Sequence, residues 1–583
     1  MNHMMYSAPM YIEKVPNRGA RPTVLLRIGE RNGKKTDKRT LANLSHWPAE
    51  QVEALRRVLR GIPMVPADSA YAVERSLPHG HVEAVLGVMR QLGIETLLAS
   101  RPCRERDLVL AMLAQRLVDP CSKLATTRQW DTTTLAEQLN VADADENELY
   151  RALDWLLERQ ERIERKLAKR HLAQGARVLY DVSSSSYHGH SCPLAMRGHN
   201  RDEEHLPCIV WGLLADSEGR PVAVETYEGN TGDPSTVADQ VEKLRERFGL
   251  TRAVLVGDRG MLTQARIEEL KHYPQLGWIS ALRSESIQAL VEQGTLQLSL
   301  FDAQNLAEIA SDLYPGERLM VCHNPLLAED RKRTRGELLD ATETALTKIA
   351  TEVKRRTKTP LTAAEIGVKA GKVLNRHKVG KHFVLAIEDG HFTFTRNTER
   401  IEREARLDGI YIIRTSEPAH ELSAEDTVRT YKSLGQVEQA FRCIKNLDLR
   451  IRPIHHRTVE HVKAHIFLCM LAYYVEWHMR KTLAPVLFQD EELDAARWSR
   501  DPVAKAQPSE TAQQKKRTKH TVEGWPVHSF QSLMDELATR CKNICRVGEG
   551  KEAMHFTAFT EPTDFQRHVL DLLGIKHTKA CSQ

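Results

Sequence analysis

The 583-residue sequence contains no CxxC pair among its ten cysteines, and no disulfide framework of a secreted domain can be read in it. Reduced thiols in a cytosol are the expectation. No run of 18 or more apolar residues occurs, and the opening MNHMMYSAPMYIEK lacks the apolar core of a signal peptide. A membrane role is therefore not expected, and the cytoplasm is. No internal repeat is evident. Net charge is only +5, too small a total to name a partner.

What is present is uneven. With 41% hydrophobic and 28% charged residues the chain has the composition of a globular protein, and its length exceeds what one hydrophobic core serves. Roughly three or four domains are expected. Residues 1–60 carry 12 Lys or Arg against 5 Asp or Glu. A second excess lies between Thr351 and His382, where 9 basic residues face only Glu352 and Glu365. Such clusters suit a polyanion, most commonly nucleic acid, although either alone also describes a solvated face.

Between Pro22 and Leu44 two extended segments flank Asn32-Gly33, a strong hairpin signal. Residues 1–65 therefore read as a small basic β unit. From about His81 to Leu172 the apolar residues recur at helical spacing, so 66–175 reads as a helical domain. From Ala176 to Leu282 the texture becomes ARVLYDV, CIVWGLLAD, RPVAVETY, RAVLVGD and LGWISAL. Asp216 to Gly219 makes a turn between the second and third runs, and the helical stretch from Pro234 to Phe248 requires a crossover before the fourth. The resulting order, β-β-β-α-β-α-β, is that of an RNase H-like α/β core. Residues 284–426, with HFVLAIEDGHFTF and GIYIIRT, read as an inserted, β-containing domain separate from the core sheet. The core resumes in a helical region over 427–485. The remainder, 486–583, reads as a linker, DPVAKAQPSETAQQKKRTKH, and a helical end.

Asp181 follows the apolar run Val178 to Tyr180, and Asp258 follows AVLVG, which places each at the C-terminal end of a strand. Ligands of open α/β sheets bind at those ends. Two carboxylates side by side repel unless a cation or a proton intervenes, and Mg²⁺ or Mn²⁺ prefers oxygen donors. Singly, an Asp after a strand also serves as a turn or helix cap. Tyr431, Leu434, Glu438, Phe441 and Lys445 share the spacing of one helix face, which would let Glu438 join the Asp pair with Tyr431 and Lys445 contacting phosphate. The same spacing describes an amphipathic helix with Leu434, Val437, Phe441 and Ile444 as core. Other pairings are weaker. His188, His190 and Cys192 lack a second ligand pair, His461 and His465 lack an adjoining Glu, and Cys541 and Cys545 four apart on a helix read as core. Trp278 could stack on a base, but a fifth-strand core residue is the more ordinary reading.

These blocks resemble the DDE transposases of bacterial insertion sequences, in the insertion-sequence-4-like branch with the Y-x2-R-x3-E-x6-K signature. Tyr431, Glu438 and Lys445 stand at the signature spacing, while Leu434 replaces the usual Arg. LYDVSSSSY is similar to the first-Asp block, PCIVWGLLADSEGRPVAVETYEGNTGD to the intervening hairpin, and VGDRGMLT to the second-Asp block. The resemblance implies that Asp181, Asp258 and Glu438 bind two Mg²⁺ ions, with Mn²⁺ able to substitute, and that Tyr431 and Lys445 contact DNA. It also implies cleavage and strand transfer at transposon ends by a homodimer, with the segments before the core binding DNA. A metal-dependent nuclease of the same fold, or an inactive DNA-binding descendant, are the alternatives.

Overall fold

In the computed structural model, residues 10–17, 20–32, 35–61, 71–202, 205–273, 275–302, 304–504, 506–547 and 553–576 are described. The chain divides into two compact units, one formed by Met1–Ser76 with Lys542–Phe559 and the other by Leu77–Cys541 with Thr560–Gln583. The first unit holds two sheets. Strands β1 (Met10–Asn17), β2 (Ala20–Asn32) and β3 (Lys35–Asn43) form an antiparallel meander, followed by a helix at Ala49–Leu59. Asn32 pairs with Lys35, as the expected hairpin requires, but Gly33 of its turn lies outside the described residues. The second sheet joins β4 (Ala72–Pro78) to Cys541–Val547 and Met554–Phe559. Thus 486–583 is not simply a linker and helices. Cys541 and Cys545 stand on a strand, and Glu510–Thr518 of the expected linker is helical, with Lys515 buried and donating to the Ala484 carbonyl at 2.8 Å.

The second unit is built on one mixed sheet. Strands β5 (Ala176–Ser186), β6 (Cys208–Ala215) and β7 (Pro221–Glu228) run antiparallel, and β8 (Ala253–Val256) and β9 (Leu276–Ala281) lie parallel to β5 on its other side. This is the order expected from the sequence, with helical crossovers before β8 and β9. Beyond β9 the sheet continues through β10 (Leu306–Ile309), β11 (Arg318–His323) and the late strand β14 (Ile410–Thr415), in the order β10-β11-β14-β9. The segment 284–426 is therefore not wholly separate, and GIYIIRT is a core strand. Within 284–426, among the described residues, only β12 (Phe383–Glu388) and β13 (His391–Arg396) form a sheet of their own.

The physical reason lies in the side-chain pattern. In β14 all but one residue are buried, which suits a strand covered on both faces, whereas β12 and β13 alternate inward and outward like a one-faced surface hairpin. That hairpin packs with the helices Pro325–Arg355 and Ala363–His377 around a separate cluster including Leu339, Leu346, Val353, Ile366 and Phe392. The helices between Gly80 and His171 are present as expected but do not make a separate domain. They share one continuous core with the sheet and with the long helix Val459–Leu483. Among the described residues, no helix is long and apolar enough to cross a membrane.

Candidate active site

Asp181 lies in the middle of β5, not at its end, because the strand continues through VSSSS to Ser186. The parallel pairing with β8 nevertheless stops at Leu179 opposite Val256. Carrying that register two residues on places Asp181 opposite Asp258, so the parallel ladder opens where the two carboxylates begin. The Asp258 Oδ1 accepts the N–H groups of Gly260 and Met261 at 3.0 and 2.8 Å, and the Ser280 hydroxyl donates to its carbonyl at 3.2 Å. Asp181 is half-buried, and its Oδ1 accepts the Val182 N–H at 2.7 Å. Burial first, then the negative charge of Asp258, pushes the Asp181 carboxyl up to about 7, against that hydrogen bond and the charge of Arg201.

The Glu438 segment is not one regular helix. Helix Ala424–Lys432 packs on β9 and β14, and Leu434–Arg442 packs on β5, with the Phe441 ring in a T-shaped contact with Trp211 of β6 at 4.9 Å between centroids. Leu434, Val437, Phe441 and Ile444 are core, as the amphipathic reading requires. A π turn follows at Cys443–Leu447, closed by the Asp448 N–H on the Cys443 carbonyl at 3.3 Å. Its wider winding breaks the two-turn alignment of Glu438 with Lys445. Glu438 accordingly stays 61% exposed beside Arg442 at 3.8 Å, while Lys445 is buried against β5.

Tyr431 is partly buried near the end of helix Ala424–Lys432. Burial pushes its hydroxyl up to about 12, with the charges of Asp258, Glu438 and Asp181 adding to the effect and Arg259 opposing it. All three carboxylates thus act electrostatically on one tyrosine. They do not close into a ligand shell, however. Among the described residues the group of ligand atoms that lies within 4.8 Å of one another is Cys443, Asp448 and Glu476. There Arg480 already bridges both acids, at 2.7 Å to Asp448 and 2.5 Å to Glu476, so that group is a buried ion-pair cluster.

Asp202, Arg201 and Arg452 escaped sequence reading because loop residues follow no period. The serine run of β5 brings the first two in. Buried hydroxyls need partners. Ser184 Oγ donates to the His199 carbonyl at 3.0 Å and accepts the Arg201 N–H at 2.8 Å, while Ser186 Oγ accepts from Asn200 at 3.1 Å. Asp202 then meets Lys445 at 3.1 Å and Arg452 at 2.7 Å, and Arg201 pairs with Asp233 at 2.5 Å.

The weaker sequence candidates resolve as structural residues. Trp278 is buried in β9, His461 pairs with Asp154 at 3.2 Å, and His465 is buried between Lys123 and the Ile451 carbonyl, each at 3.1 Å. His188 and His190 are exposed while Cys192 is buried. In the basic stretch, Lys369 and Arg356 pair with Glu352 and Lys381 with Glu404, which reduces the free charge there.

Asp181, Asp258 and Glu438 would offer hard oxygen donors, and Asp181 and Asp258 come opposite each other when the β5–β8 register is continued. Both features fit a divalent cation such as Mg²⁺. A family model described as a transposase DDE domain matches residues 177–475, just over half of the chain and the stretch containing all three carboxylates. No curated protein matches the chain.

Proposed function

The chain belongs to the DDE transposase domain family, and from that membership we propose that it cleaves DNA at the ends of an insertion sequence and joins the freed 3′-hydroxyl to target DNA. We place it in the insertion-sequence-4-like group, with an RNase H-like core holding Asp181, Asp258 and Glu438 as catalytic ligands. What carries this reading is the match of the transposase DDE-domain model to residues 177–475, together with the register that, continued beyond the last parallel pair, brings Asp181 opposite Asp258.

Two Mg²⁺ ions held there would supply Lewis-acid stabilisation of the attacking and leaving oxygens of an in-line displacement. Asp181, once deprotonated, and Asp258 would hold the ions from the two neighbouring strands. Glu438 would supply the third carboxylate; it stands exposed beside Arg442. Tyr431 stays protonated and donates a hydrogen bond to a DNA phosphate; Lys445, expected to contact DNA as well, is instead buried on Asp202 and the Ser184 carbonyl. The basic N-terminal β unit and the helical region hold the transposon end, and a homodimer brings two ends together.

Asp181→Ala or Glu438→Gln is expected to abolish cleavage and joining while end binding stays within a few fold of the parent. Gel-shift and cleavage assays on one end-bearing duplex with Mg²⁺ or Mn²⁺ measure both. Parent-like cutting by Asp181→Ala would remove the assignment. Cleavage without strand transfer in the parent would instead favour a nuclease.

A further inference from the structure

We propose that Asp202 is a positioning residue that fixes the strand carrying Asp181 against the helical segment carrying Glu438; this rests on the metal-site reading above. The two carboxylates stand on elements far apart in the chain, and a two-ion site tolerates little relative movement between them. Asp202 joins these elements through separate oxygens. Its Oδ2 accepts the Ser186 N–H of β5 at 2.8 Å. Its Oδ1 takes Lys445 Nζ, from the π turn that continues the Glu438 helix, at 3.1 Å and Arg452 Nη1 at 2.7 Å. Lys445 Nζ also donates to the Ser184 carbonyl, so it touches β5 directly as well.

The side chain of Asp202 is 3% exposed, which separates this group from an ordinary surface ion pair. Burial opposes its charge, but the Ser186 N–H, Lys445 and Arg452 hold its carboxyl below the usual range. Burial likewise pushes Lys445 below its usual range against the pull of Asp202. Removing the carboxylate charge would leave two cations facing each other with little water to separate them, and they would move apart. Because both Asp202 oxygens are taken by protein donors, the residue acts on the ion site through Ser186, Lys445 and Arg452 and not as a ligand.

The test uses the full chain and reads Mn²⁺ binding by calorimetry without DNA, well below the melting transition, beside cleavage of an end-bearing duplex. Asp202→Asn and Lys445→Met should each weaken Mn²⁺ binding about 10–100-fold and raise the metal half-saturation of cleavage similarly, as loss of a supporting contact does. The double variant should lose less than the sum of the two single losses, because the Asp202–Lys445 contact is broken in both. A merely structural role would lower the melting temperature and leave the metal half-saturation of the folded fraction unchanged. Should Asp202→Asn fail to fold, Arg452→Gln, which leaves Lys445 and Ser186 on Asp202, should show the same shift in reduced size. Parent-like Mn²⁺ binding by the folded variants, or independent additive losses, would overturn the proposal. A parent that binds no Mn²⁺ sinks both readings. If Asp181→Ala abolishes Mn²⁺ binding but the Asp202 and Arg452 variants leave it intact, only this one falls.

Discussion

Burial, and after it the negative charge of Asp258, pushes the Asp181 carboxyl up to about 7. An unfolded aspartate ionises near pH 4, so between pH 4 and 7 the folded chain keeps a proton that the unfolded chain releases. The resulting loss of stability builds over that window and is complete above it. Asp181→Asn should consequently melt higher than the parent at pH 8 without metal, by on the order of 2 kcal/mol once solvent access is allowed for, and equal it near pH 3.5. Added Mn²⁺ should reverse the order at pH 8, since only the parent gains an ion. Thermal melts at two pH values, with and without Mn²⁺, check this, and an Asn advantage independent of pH would contradict it. Asp181 and Asp258 could be singled out in the sequence because each follows a short apolar run, although Asp181 stands in mid-strand and not at the strand end expected. Asp202 could not be, since its importance depends on a loop folding back onto four buried serines.

Among the elements, the five core strands could be read because each is a short apolar run bounded by turns. The destination of later strands was harder. GIYIIRT and HFVLAIEDGHFTF both look β-forming, and only the first is apolar enough on both faces to be enclosed. The π turn at Cys443–Leu447 had no signal, because the signature spacing presumes regular winding. The hairpin and its two helices have a separate core, which gives a local test. Leu346 is fully buried there, and Leu346→Ala should cost that module about 2–5 kcal/mol. Hydrogen exchange should quicken over residues 338–396 while β5, β8 and β9 keep parent protection. Uniform loss across the sheet would show that the module does not open separately.

Over the whole molecule, the expected three or four domains reduce to two compact units, because the helical region shares its core with the sheet. Basic charge in residues 1–60 is the largest local excess in the N-terminal unit. Removing those residues should weaken binding to transposon ends and flatten its salt dependence by roughly 0.9 in log–log slope per lost phosphate contact, leaving Mn²⁺ binding unchanged. Titrations at several salt concentrations measure it, and an unaltered slope would place end recognition elsewhere. The second sheet of that unit has a further consequence, for the time at which the protein is completed. β4 must wait for Cys541–Val547 to be synthesised, which at ribosomal speed takes on the order of half a minute or more. A nascent chain therefore carries Asp181, Asp258 and Glu438 well before β4 can pair with Cys541–Val547. A chain that stopped between Lys445 and Cys541 would keep those three carboxylates and leave β4 without its neighbouring strand.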